Sequence, residues 1–500
     1  MSPTRLGVVT CASLLSLALA ACGDSKPPPE ADAGPGETSD AGTTADAGTT
    51  PDSGTMSDAG TTPDAGPTEN CTSVSAGTGG EARWQTLGLS INAGTLYSRT
   101  DATADSSDNV FFVQHRLRPG DDDSDILLRK LSPDGQTLWQ KSYGSILGDG
   151  ATDLRVDATG HAFLAGVFGY NAGSIHSAYG IIDLGKGPIQ TAATNEDGFV
   201  AKIAPDGSTV WATPVTSVEQ SSVGELALLP SGNVLVAGGV KSRSEVKVGT
   251  ATLPSLGVYT NRVFVAELNG ATGELVWGRG LPGFSSRPEY LPRLATGPGG
   301  EVFIQVNDEG KTVVLALGTD AARTQSWSRT LTGLWDVRIA THPDGGLYLA
   351  GIFEGTIDVG TGPLTAPVND AAFLVMRLDA AGNTVAARIL GQADDISGEL
   401  DDVEVDASGR LLLVGEWLMS PIDSGQGPLD VRGEFAVLLA RDLSAVWARG
   451  FRCSSPNGAG RRGDGVLVSG SLDLVPTADL GAGPIPSNRA GESFAVQYGP

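Results

Sequence analysis

The chain has 500 residues, including 69 glycines and 29 prolines, with 40% hydrophobic residues and a net charge of −25. Abundant glycine and proline between short apolar runs exclude a long-helix architecture and point to strands joined by tight turns. A surface this acidic repels phosphate backbones, which sets the chain against nucleic-acid partners.

Residues 1–21 have the build of a secretory signal peptide: Arg5 in a short leading region, an apolar run from Leu6, then small residues. The tetrapeptide Leu19-Ala20-Ala21-Cys22 resembles the bacterial lipobox. That resemblance implies lipidation of Cys22, several acyl chains on one residue being a stable membrane anchor. Gly23 and Asp24 follow, so no aspartate stands directly after the cysteine and an outer-membrane address is expected. Residues 22–70 repeat Asp-Ala-Gly or Asp-Ser-Gly units among Thr and Pro. With little apolar area to bury, this stretch reads as a disordered tether, and residues 71–500 as the folded domain.

Within that domain a hairpin recurs. Residues 199–211 read FVAKIAPDGSTVW, and relatives end at Trp139, Trp277, Trp327 and Trp447; the fifth copy has Ala386 where the others have Trp. Upstream of each lies a second hairpin, as in LRVDATGHAFLAG (154–166) or VEVDASGRLLLVG (403–415). One arm alternates, as a half-packed strand does; the other is continuously apolar, as in a strand buried on both faces. A third phrase, IDLGKGPI from Ile182 and its kin from Ile357, Ile422 and Ala478, marks the turn between the two hairpins. Each unit is thus four antiparallel strands in sequential order. No helical period appears, so the unit is a propeller blade.

Six units are complete. A seventh begins after Phe451 and runs to Tyr498 but lacks a last strand, which Ala82 to Thr86 (ARWQT) supplies from the other end. The expected fold is all-β: a seven-bladed β-propeller of four-stranded antiparallel blades, closed by pairing of the N- and C-terminal strands. Cys71 precedes the closing strand and Cys453 opens the unit it completes, so a disulfide between them is expected in an exported domain, two free thiols being the alternative.

The segment DGFVAKIAPDGSTVWA (197–212), with VDATGHAFLAG upstream, resembles the seven-bladed propeller repeat (SBBP-type) of bacterial secreted and lipid-anchored proteins, over roughly residues 83–498. Its shared residues are turn and packing residues, so the likeness implies a fold and little about activity. The stretch LNGATGELVW (268–277) is similar to the tryptophan-docking motif of quinoprotein-type propellers, which include cofactor-dependent dehydrogenases and a cofactor-free assembly lipoprotein.

No clustered His or Cys set, Gly-x-Ser-x-Gly or phosphate-cradling loop occurs, so no catalytic residues and no cofactor are expected. His115, His161, His176 and His342 fall in separate units, and His161 and His342 sit by turns where a solvated imidazole is expected. Asp121, Asp122, Asp123 and Asp125 form a solvated loop or a calcium site, and Arg462-Gly463-Asp464 a plain turn. Aligned innermost strands put Asp153, Glu225, Arg293, Arg338 and Asp402 at one position near the axis, either as inter-blade ion pairs or as the lining of a ligand channel. The expected function is a non-enzymatic binding or protein-interaction scaffold with an envelope protein or glycan partner; the alternative is a quinoprotein-like or glycan-active enzyme working at the axis.

Overall fold

Both kinds of apolar run become strands, and the reason lies in how many faces each strand must bury. The computed structural model describes residues 74–77, 79–90, 100–117, 124–170, 179–241, 245–253, 261–281, 291–308, 310–366, 371–391, 398–417, 425, 427, 429, 433–472, 477–487 and 492–500. The signal peptide, Cys22, the tether, Cys71, His176, Asp121, Asp122 and Asp123 lie outside these residues. Every regular element among the described residues is a strand.

The strands form seven antiparallel sheets with four sequential strands each: blade 1 (101–143), blade 2 (148–217), blade 3 (221–281), blade 4 (293–332), blade 5 (334–390), blade 6 (398–450) and blade 7 (454–498 with 82–90). The innermost strands touch one another in ring order, and the ring closes where Asp101–Ala104 meets Ser454–Arg462. The chain is a seven-bladed β-propeller. Blade 7 takes its outer strand from the N-terminus, with Gln85 opposite Val496 and Thr86 opposite Ala495. Closure of this kind leaves no open end to the ring.

The core is seven wedges, one at each blade junction. Phe163 and Ala165 face blade 3, whereas Leu164 and Phe168 face blade 1, because side chains alternate along a strand. The middle strands of each blade are therefore buried on both sides, as Ala162–Tyr170 shows. The phrase read as a turn is more than one: in blade 2 it is a small separate hairpin, Ile181–Asp183 against Pro188–Gln190. Blades 5 and 7 carry the same insert, at Thr356–Asp358 with Pro363–Thr365 and at Thr477–Asp479 with Pro484–Pro486. Ile182 and Leu184 of the blade 2 insert are fully buried in the junction with blade 1.

A fifth strand was not foreseen. Val74–Gly77 adds antiparallel to the outer edge of blade 6, with Gly77 opposite Trp447 and Val74 opposite Gly450. The blade 3 insert, Val246–Val248 paired with Ala251–Thr252, likewise adds antiparallel to the outer strand of blade 2.

Candidate functional site

Two rings of contacts organise the molecule, one at the axis and one at the rim. The axial ring starts from β-bulges, which displace the ladder of the innermost strand between Ala151 and Asp153, Val223 and Glu225, and Leu400 and Asp402. A bulge re-aims the side chain that follows it. Here it turns each carboxylate towards the next blade, where Asp153 accepts from Leu226 N at 2.6 Å, Glu225 from Leu294 N at 3.2 Å and Asp402 from Ala459 N at 2.9 Å. Asp101, one blade earlier, accepts from Leu154 N at 3.2 Å. In blade 5 the acid is displaced to Asp336, which accepts from Leu400 N at 2.6 Å and pairs with Arg338 at 2.7 Å. Arg338 also donates through Nε to Asp401 O at 2.9 Å, and Arg293 lies 3.5 Å from Glu225. Burial pushes the Glu225 carboxyl upward, and Arg293 opposes that shift. All five aligned positions thus take part in bonds between or within neighbouring blades.

Two axial residues escaped the sequence reading. Arg155 of blade 2 lies 3.2 Å from Asp153 and 3.5 Å from Glu404 of blade 6, which also holds Arg461 of blade 7 at 2.8 Å. Blades 1 and 7 separate blades 2 and 6 on one side and blades 3 to 5 on the other, so the Arg155–Glu404 pair crosses the axis. Burial would lower the Arg155 pKa, but Asp153, Glu404, Asp101 and Asp402 outweigh it and raise it. The signal was present in the aligned repeats, where this position reads Arg155, Ala227, Ala295, Ala340 and Glu404: one cation and one anion among alanines.

At the rim, four outer-strand Trp residues dock on the outer turn of the next blade. Trp139, Trp211, Trp327 and Trp447 donate Nε1–H to Pro205 O, Gly270 O, Ala380 O and Gly499 O at 2.9, 3.2, 3.0 and 3.2 Å. Two residues after their Trp, Thr213, Arg329 and Arg449 donate to the carbonyls of Gly273, Gly382 and Gly80, and Arg388, two residues after Ala386, donates to Leu443 O. The turn residue under the indole has a positive φ in each case, from 64° at Gly80 to 86° at Gly135 where it is glycine. A Cβ at Gly80 would sit 2.6 Å from the Trp447 ring, so only glycine admits the indole. The seventh turn is a broken one. Gly499 and Gly80 come from opposite ends of the chain, and Gly499 N donates to Glu81 O at 2.9 Å to hold them together.

The histidines divide. His161 is partly buried and stands 3.6 Å from Asp157 at its turn. His342 corrects the expectation of a solvated ring: it is 1% exposed, packs edge-on to Tyr348, and places Nδ1 2.5 Å from Asp344. The junction with blade 6 closes over it because the turn at Gly409 packs against its ring. Arg462 is likewise buried, its guanidinium 4.7 Å from the Trp84 ring centre, while Gly463 makes the expected turn at φ 56°. Among the described residues no group of three or more His, Cys, Asp or Glu has metal-holding geometry. Between blades 4 and 5 a groove of about 450 Å³ opens beside Trp327, Ser328, Arg329, Gly360 and Gly382.

No family model and no curated protein matches the chain. Solved structures of similar fold include BamB from Moraxella catarrhalis, at 11% identity over 83% of this chain and 100% of that one, with a TM-score of 0.35. A second is YCF48 bound to a D1 peptide, at 9% identity over 85% of this chain and 98% of the other, TM-score 0.38. A third is the quinohemoprotein alcohol dehydrogenase from Comamonas testosteroni, at 11% identity over 83% and 76%, TM-score 0.33. Likenesses this distant carry no argument about function.

Proposed function

We propose that this propeller is a lipid-anchored, non-enzymatic binding scaffold of the cell envelope. In this reading residues 1–21 are a lipoprotein signal, Cys22 bears the acyl chains, and residues 22–70 tether an SBBP-type propeller to the outer membrane, where it holds an envelope protein. The observation that carries it is the state of the axis: the aligned charges are engaged in bonds between blades, and Arg155 pairs with Glu404 across it. Charged side chains tied into the frame serve the rigidity of the scaffold and leave the rim and faces for contact. The alternative, a quinoprotein-like or glycan-active enzyme, needs axial groups that meet a substrate.

The test pairs two measurements. Photo-crosslinkers placed along the outer strands should trap one stoichiometric envelope partner, and a folded Arg155→Ala, Glu404→Ala double variant should still be trapped. Turnover of an envelope substrate that the same double variant abolishes would overturn the scaffold in favour of the enzyme. For the anchor, Cys22→Ala should move the domain from the membrane to the soluble fraction.

A Cys71–Cys453 disulfide belongs to the same proposal, and strand register supports it. Val74, three residues after Cys71 in the chain, stands opposite Gly450, three residues before Cys453. Such a link would staple the fifth strand, contributing roughly 5 kcal/mol in the chain-entropy picture. Non-reducing peptide mapping that recovers both as free thiols rules it out.

A further inference from the structure

We propose that the outer edge of blade 4 is a docking site for an extended, small-residue segment of a partner polypeptide, which adds to the blade as a fifth strand. This rests on the scaffold reading and names where and how that scaffold binds. The inference comes from the internal repetition of the molecule. In blade 6 the outer strand runs Trp447, Ala448, Arg449, Gly450, and against it lie Gly77, Ala76, Ser75 and Val74 in register. The same positions in blade 4 are Trp327, Ser328, Arg329 and Thr330, within the outer strand Gln325–Thr332. Among the described residues that strand has a neighbour on its inner side alone.

The walls match as well as the floor. Beside the blade 6 edge stands Gly80 of the broken turn, whose counterpart beside blade 4 is Gly382; Gly360 of the blade 5 insert lines the blade 4 groove as well. Where blade 6 receives a strand, blade 4 has the open groove of about 450 Å³ lined by Trp327, Ser328 and Arg329. Blade 2 shows that an outer strand can take a further antiparallel neighbour, although there the blade 3 insert Val246–Val248 pairs farther along, with Val215 to Ser217.

The chemistry of the occupant follows from the filled copy. The residue opposite Trp447 is glycine, with Ala76 and Ser75 next in register, so the matching occupant is a run of small residues. Arg329 donates to Gly382 O at 2.9 Å and also to Val359 O, so its guanidinium is committed to blade 5 and does not call for an acidic partner. Recognition therefore runs through main-chain hydrogen bonds, with the small residues setting register.

The probe is a synthetic peptide of the chain's own sequence from Ser73 to Thr78, carrying an activated thiol in place of Ala76. It is added to the full chain bearing Ser328→Cys, an exposed position that matches Ala448. A register-specific disulfide adduct is expected, falling several-fold when the thiol moves to the Ser75 position. Ser208→Cys, exposed in the outer turn of blade 2 and outside its outer strand Thr209–Ser217, should give little adduct. Equal adducts at both sites, or in both registers, would show indiscriminate thiol exchange and overturn the proposal. So would exchange of the peptide into blade 6, read as lost hydrogen-exchange protection of Val74 to Gly77, the strand it would displace. No adduct at all also sinks the blade 4 site but leaves the scaffold reading standing, because crosslinkers along the other outer strands report on that independently.

Discussion

Leu443 and Ala386 share one apolar cluster at the junction of blades 5 and 6, and between them they reverse the volumes used at five other junctions. Elsewhere a turn glycine faces an indole, as Gly382 faces Trp327 and Gly207 faces Trp139. Here the turn residue is Leu443 at φ 67°, 1% exposed, and the outer-strand residue is alanine. A side chain rooted in the turn occupies the space that an indole fills from the other side. Loss of the Trp at Ala386 is thus one half of an exchange.

That exchange predicts strong coupling. Ala386→Trp alone should overpack the junction, costing about 1–3 kcal/mol, and Leu443→Gly alone should leave a cavity costing about 2–5 kcal/mol. The double variant should recover at least about 1 kcal/mol relative to the sum of the two, since the sites share one volume. Urea melts of the four proteins measure it, and simple additivity would show that the two positions are independent.

The clasp between the chain ends should be sensitive at one glycine. Gly80→Ala combines a backbone at φ 64° with a Cβ 2.6 Å from Trp447, whereas Gly362→Ala combines φ 94° with nothing within 4 Å. Both should pay the left-handed backbone cost of about 1–2 kcal/mol. Gly80→Ala should lose about 1–3 kcal/mol more through overpacking. Hydrogen exchange should also localise its damage to residues 82–90 and 492–498; equal melting of the two variants would contradict the clasp.

Across the axis, Arg155→Met and Glu404→Gln should each destabilise by roughly 1–3 kcal/mol, because each leaves a partly buried charge with one ionic partner fewer, Glu404 keeping Arg461 and Arg155 keeping Asp153. The pair replaced together should cost less than the sum, by about 1 kcal/mol. Thermal unfolding at low and high salt checks this, and the coupling should survive salt because the pair is shielded from bulk ions.

Two buried carboxyls set a pH dependence. Burial pushes Asp149 up to about 7 and Asp197 up to about 6, from 3.8. The folded state therefore holds these protons more tightly than the unfolded chain. Their contribution to stability is largest near pH 4 and is lost as pH rises through 6 to 7. An Asp149→Asn, Asp197→Asn variant should show a shallower decline of unfolding free energy between those limits than the parent. An identical slope would show that neither carboxyl titrates in that range.

Much of this was open to sequence reasoning, and the limits have physical causes. The four-strand unit, the count of seven and the split last blade follow from period-two alternation and from turn residues such as Gly207 and Gly135, which act over a few neighbours. The shared axial position of Asp153, Glu225, Arg293, Arg338 and Asp402 follows from the same alignment. Their partners do not. Whether an axial carboxylate meets a ligand or the next blade depends on a bulge one or two residues away and on the distance between strands, neither of which is written locally.

The chain on its own determined the repeat, because each strand and turn is specified by its immediate residues. Only the closed ring decided that Arg155 meets Glu404 across the axis, that Leu443 replaces an indole, and that Val74–Gly77 lies along blade 6. These contacts join residues far apart in the chain, and they exist because seven twisted sheets must share one axis and seal one rim.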